Sequence, residues 1–247
     1  MPATTSELTT PDGTVAVYVT HPEGTGPWPG VVMFPDAFGP RPTSRAMADR
    51  LSAHGYGVLV PDTLYRSRPY EPFDPATVFG GSAPAELQRL MHVLEATTDE
   101  LAMRDTAVYI DHLRSLPQIR GPHVAVMGYC LGGGLALRAG CAHAGSIAAV
   151  LSIHGGRFVT EPGAAAEIAA SLRAPAYVAV AEIDRRHDAA TSARLEAAFR
   201  DAGVEHAVEL YAGAAHGFTV PDLPPYDRDA AERHWVRVVD FLGRAFT

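Results

Sequence analysis

Three residues of this chain have the types and positions needed for nucleophilic chemistry. Cys130 stands in Gly128-Tyr129-Cys130-Leu131-Gly132-Gly133-Gly134. This stretch follows the apolar run 124–127 and precedes a helical stretch at 135–139. It has the form G-x-S-x-G of a nucleophile on a sharp strand-to-helix turn, with Cys in place of Ser. Such a turn holds the nucleophile in a strained conformation, and Gly128 and Gly132 are small enough to let the neighbouring backbones close up. Cys130 would then project at a helix N-terminus, where the dipole and free N–H groups favour a thiolate. The N–H of Leu131 would point at a developing oxyanion. Cys141 lies in a helical run with no turn residues around it and reads as packing. Asp184 closes the segment Ala181-Glu182-Ile183-Asp184 after the apolar run 177–180, with Glu182 and Asp188 as nearby rivals. His216, in Ala215-His216-Gly217, is the one among 11 histidines in a small-residue loop after the last strand-like run, 206–211. His216 could take the thiol proton and later activate water, while Asp184 holds its ring.

The elements that must position these residues alternate. Val15, Val17 and Val19 alternate with Thr14, Ala16 and Tyr18, which predicts a half-buried opening strand. Short, solidly apolar runs follow at 31–34, 58–60, 124–127, 147–153 and 177–180. Such runs fit strands covered on both faces, as in a parallel sheet. Helical stripes lie between and after them, including Leu195, Ala198, Phe199 and Ala202, then Trp235, Val238, Val239, Leu242 and Phe246. The pattern predicts one α/β domain over 1–247, a mostly parallel central sheet with helices on both faces. The order Cys130, Asp184, His216 is the nucleophile, acid, base order of an α/β-hydrolase fold. A Pro-, Gly- and aromatic-rich stretch at 61–84 is too long for an ordinary connection and suggests an excursion over the site.

Taken together, Gly128-Tyr129-Cys130-Leu131-Gly132-Gly133, Asp184 and Gly213-Ala214-Ala215-His216-Gly217-Phe218 resemble the dienelactone hydrolase family over nearly the whole chain. The resemblance implies hydrolysis of small enol-lactones or esters by a Cys130-His216-Asp184 triad through a thioester, without metal or cofactor. It also implies an oxyanion-hole N–H from Ala37 and, at Asp36, a carboxylate that interacts with the resting thiol. Family members typically carry Glu there, one methylene longer. Dienelactone-specific members hold the substrate carboxylate with arginines, one of them a few residues after the catalytic His, where this chain has Val220. Phe38 and Val220 are therefore expected at the substrate, with Arg66 (or Arg41, Arg68 or Arg89) as a replacement anion holder. Tyr65, with Tyr70 and Phe73, is expected to wall the pocket. Without the arginine, the chain is expected to favour neutral lactones or short activated esters.

Competing readings are a broad-specificity carboxylesterase, a class I glutamine amidotransferase, and a non-catalytic binding protein on a hydrolase scaffold. The second expects Glu two residues after the base, where this chain has Phe218. Asp184, His187 and Asp188 could ligate a metal, but no HExxH or clustered Cys/His spacing supports one. Lys+Arg 20 against Asp+Glu 28 gives a net charge of −8, which argues against nucleic acid. The small-molecule substrate is the one partner expected, with a monomer or homodimer as the assembly. Met1–Thr10 has no signal-peptide pattern and no apolar run is long enough to cross a bilayer. With only two cysteines, a cytoplasmic protein is expected.

Overall fold

The apolar runs become the inner strands of one eight-stranded sheet in a computed structural model, which describes residues 1–79, 83–155, 163–185 and 187–247. The strands are β1 (Ala3–Thr10), β2 (Gly13–Thr20), β3 (Trp28–Phe34), β4 (Gly57–Pro61), β5 (Ile119–Tyr129), β6 (Ile147–Ile153), β7 (Ala176–Ile183) and β8 (His206–Ala215). Their order in the sheet is β1-β2-β4-β3-β5-β6-β7-β8. β1 and β2 form an antiparallel hairpin and β2 pairs antiparallel with β4, while every pairing from β4 onward is parallel.

Period-two alternation sends successive side chains of one strand to opposite faces. Val31 and Met33 enter one core and Val32 and Phe34 the other, as do Ala125 and Met127 against Val124 and Val126. The first core is closed by α1 (Pro42–Ala53) through Met47 and Leu51, by α3 (Pro84–Glu95) through Leu90 and Val93, and by α8 (Arg228–Ala245) through Trp235, Val238 and Leu242. The second is closed by α4 (Asp99–Ser115), α5 (Leu131–Ala142), α6 (Ala164–Ser171) and α7 (Ala189–Asp201). Helices on both faces of a mostly parallel sheet are what the alternating pattern predicts.

The opening polar strand β1 is not predicted by the sequence. Its residues Ala3 to Glu7 are exposed, so it carries no alternation of polarity and is held by its pairing to β2. The stretch 61–84 contains a single 3₁₀ turn at Tyr65–Ser67 and the short helix α2 (Pro75–Phe79), with residues 80–82 outside the described residues. No helix among the described residues is long and apolar enough to cross a membrane.

Candidate active site

The carboxyl ends of five neighbouring strands meet where a ligand site is expected in an α/β sheet. Each end supplies one residue: Asp36 after β3, Cys130 after β5, His154 after β6, Asp184 after β7 and His216 after β8. Cys130 sits between β5 and α5 with φ 54° and ψ −115°, a positive φ that a non-glycine residue rarely adopts. The elbow closes because two glycines flank it. A Cβ on Gly128 would lie 2.2 Å from the Gly132 carbonyl oxygen, and one on Gly132 would lie 2.4 Å from the oxygens of both Phe34 and Pro35. Leu131 is the first residue of α5, where a helix leaves its N–H groups unsatisfied.

His216 Nε2 lies 3.0 Å from Cys130 Sγ, and His216 Nδ1 lies 2.5 Å from Asp184 Oδ2. The Asp184 carboxylate is almost wholly buried and the His216 ring is 21% exposed. Burial alone would push the His216 pKa down. The hydrogen bonds to Asp184 and to Cys130, with the attraction of both groups, outweigh it and raise the value to about 10. A proton therefore resides on this ring at neutral pH. The rival acids are engaged elsewhere. Asp188 caps α7 by accepting the Thr191 N–H at 2.7 Å, and Glu182 accepts the Gly213 N–H at 2.7 Å. His187 is turned to the Gly155 carbonyl, 3.1 Å away.

A cleft of about 670 Å³ opens over Cys130, Asp184 and His216. Ala37 and Phe38 line it from the turn after β3, and Val78, Phe79, Leu87, Leu90, Met91 and Leu94 line it from α2 and α3. The later part of the 61–84 excursion thus reaches the cleft and the earlier part does not.

Four expected site residues lie away from the cleft. The Asp36 carboxylate takes both terminal nitrogens of Arg41, at 2.7 and 2.8 Å, and the Phe38 N–H at 3.0 Å. It borders a small void with Met33, Met47, Tyr129 and Val220, not the cleft of Cys130. A carboxylate held by a two-pronged guanidinium is not free to engage a thiol. Val220 is 2% exposed and packs in the core with Phe218 and Leu223, so it offers the substrate no surface. Tyr65 bonds Thr10 Oγ1 at 2.8 Å and Asp105 Oδ1 at 3.2 Å. Arg66 is forked onto Asp105 at 2.6 and 2.9 Å and also reaches Asp12. Tyr65 and Arg66 therefore tie the β1–β2 hairpin to α4. Of the other aromatics expected as pocket wall, Phe73 is buried in the core and Tyr70 stacks on it at 5.9 Å between ring centres.

The structure adds His154, which sequence reasoning missed. It is 1% exposed with φ 40°. The Cys130 N–H is shared between the Ile153 carbonyl at 3.0 Å and His154 Nδ1 at 3.2 Å, and with Nδ1 accepting, Nε2 carries the proton toward Thr219 Oγ1 at 2.8 Å. Its ring stands edge-on to that of His216, with centroids 5.1 Å apart. Burial, then the positive charge of His216 beside it, push its pKa well down, so it is neutral. A polar residue directly after an apolar run, on the strand between those of Cys130 and Asp184, was the available signal.

A family model described as the dienelactone hydrolase family matches residues 15–246. A carboxymethylenebutenolidase of Rhodococcus opacus is 26% identical over 96% of this chain and 90% of its own length. Among solved structures, a chain from Klebsiella pneumoniae named for the same family superposes with TM-score 0.81 at 20% identity, covering 97% of each chain. A dienelactone hydrolase-like promiscuous phosphotriesterase from metagenomic libraries superposes with TM-score 0.77 at 24% identity, covering 99% of this chain and 98% of its own. The fold is the α/β-hydrolase fold, and the chain belongs to the dienelactone hydrolase family.

Proposed function

We propose that the protein hydrolyses small lactones or esters with Cys130 as nucleophile. The observation that carries this reading is the continuous chain Cys130 Sγ, His216, Asp184 at the floor of an apolar cleft. Sγ attacks the carbonyl carbon, and the imidazolium of His216 is the charge partner that the attacking thiolate needs. The carbonyl oxygen becomes an oxyanion, received by the backbone N–H groups of Leu131 and Ala37. When the C–O bond breaks, the departing oxygen takes the proton from His216 Nε2 and a thioester stays on Cys130. In a lactone this oxygen remains tethered to the acyl group. Water then gives a proton to His216 and attacks the thioester, returning the thiol and releasing the acid. Asp184 keeps the imidazole oriented and stabilises its cation throughout.

Asp36 acts in this reading as a positioning residue. Its carboxylate bonds the Phe38 N–H, its carbonyl bonds the Gly39 N–H at 3.0 Å, and Arg41 holds it from behind. Ala37, on the same turn, is thereby held at the cleft. The test is kcat/KM on p-nitrophenyl acetate and a simple enol-lactone for Cys130→Ala, His216→Ala and Cys141→Ala. The first two should lose several powers of ten, because triad members act as a unit, and the third should stay near the parent. Comparable loss in Cys130→Ala and Cys141→Ala would remove the assignment.

A further inference from the structure

We infer that the substrate of this site carries an uncharged apolar chain, which lies from Cys130 along the face of α3. This rests on the hydrolase reading above and names the class of ester that reading would act on. Contiguous apolar patches left in water are uncommon unless they serve a contact. On the described surface they are Phe79, Leu87, Met91 and Ile183, with Met1, Leu210 and Val236 elsewhere. The first four all line the cleft that holds Cys130 and His216. Helix α3 has one broad apolar side: Val93 and Leu90 are buried in the core, and Leu90 also lines the cleft with Leu87, Met91 and Leu94 in a stripe at i, i+3, i+4, i+7. A helix that serves only to cover the sheet does not need Leu87 and Met91, which remain exposed on the cleft side.

The charges at the cleft agree with this. Among the described lining residues the cations are His216, already engaged by Asp184, and Arg185, which is exposed. The arginines considered as carboxylate holders are committed: Arg41 to Asp36 and Asp222, Arg66 to Asp105 and Asp12, Arg68 to Asp62, and Arg89 to Glu86. A volume of about 670 Å³ is within the range for drug-sized ligands and far larger than an acetyl group requires. The preferred substrate is therefore a neutral ester with an acyl chain of medium length, not a small carboxylated lactone.

The experiment compares p-nitrophenyl acetate, butyrate, hexanoate and octanoate, with the mono-p-nitrophenyl ester of suberic acid as a carboxylated match to octanoate. Each methylene that leaves water for the α3 face should raise kcat/KM about two- to fourfold. The suberate half-ester should be slower than octanoate by about tenfold or more. Met91→Glu, on an exposed position, should lower the ratio of octanoate to acetate turnover by about tenfold. A flat or falling series, with acetate still cleaved in a Cys130-dependent manner, overturns the inference and leaves the hydrolase reading standing. So does a half-ester that outpaces octanoate, or a ratio that Met91→Glu does not move. Absence of Cys130-dependent turnover of every ester overturns the hydrolase reading and this inference with it.

Discussion

Substituting Asp36 and Arg41 separates two accounts of the turn after β3. If Asp36 acts on the thiol, its loss should be harmful and the loss of Arg41 should matter little. If it is half of a clamp, both losses should be harmful. The Asp36 carboxylate is 3% exposed and the Arg41 guanidinium 13%, and Arg41 also forks onto Asp222, which is 33% exposed. Burial would lower the Arg41 pKa, but the bonds to Asp222 and Asp36 outweigh it and raise it, so the arginine is charged. Removing one partner of a buried ion pair costs about 3–5 kcal/mol, because the other charge is left uncompensated. Asp222 still neutralises Arg41 in Asp36→Asn, so the lower end, about 3 kcal/mol, is expected. For a chain of this size that is a fall in Tm of roughly 6–12 °C. The catalytic effect is bounded by the value of one oxyanion donor, about 10²–10³ in kcat.

Asp36→Asn, Arg41→Gln and the double variant should be measured for Tm and for kcat/KM on one activated ester. The clamp account predicts losses in both single variants, the larger in Arg41→Gln, which leaves the buried Asp36 carboxylate without its cation. It also predicts a double variant little worse than either, since residues in one network are non-additive. An active, stable Arg41→Gln beside an inactive Asp36→Asn would refute the clamp and return Asp36 to the thiol.

Other consequences follow from the same geometry. Replacing His154 with Ala removes an acceptor of the Cys130 N–H and the partner of Thr219, and kcat should fall about tenfold or more with little change in KM; equal kcat in His154→Ala and the parent would deny His154 a positioning role. Stability should peak near pH 6.5. His234 is buried and neutral, with its pKa pushed down to about 3 by burial and then by Arg50, so the unfolded chain binds the extra proton below pH 6.5 and about 2 kcal/mol should be lost by pH 5. His216 works in the opposite sense: its raised pKa gives stability that is complete below pH 6.5 and is lost as pH rises through about 10. Urea midpoints across pH should show both arms, with the acid arm shallower in His234→Gln and the alkaline arm shallower in His216→Gln; unchanged arms would contradict these assignments. Arg66→Gln should lower Tm through Asp105 and leave kcat/KM within about twofold, and a large kinetic loss without a stability loss would restore Arg66 to the substrate.

The three residues that meet at the cleft are legible in the sequence because each depends on local signals: an apolar run, its end, and one polar residue in a small-residue turn. Cys130, Asp184 and His216 all have this form, and the glycines around Cys130 report the elbow's sterics directly. Asp36, Tyr65, Arg66 and Val220 are different. Their surroundings are decided by partners far along the chain, such as Asp105 for Arg66, or by which side of a turn faces the core. A carboxylate at a strand end reads the same whether it meets a thiol or an arginine. Asp105 and Thr106 are buried inside the otherwise apolar face of α4, which blurs the periodicity that would have announced their role. The exposed strand β1 has no core face, so burial leaves no pattern in it.

The central claim is a covalent acyl-enzyme on Cys130, and rapid quench with mass spectrometry tests it most directly. The enzyme is mixed with excess p-nitrophenyl ester, stopped in acid within the first turnover, and digested. A peptide containing Cys130 that carries the acyl mass and is labile to hydroxylamine is the predicted result. Hydrolysis at the parent rate with no acyl group on Cys130, or with the acyl group on another residue, would contradict the account.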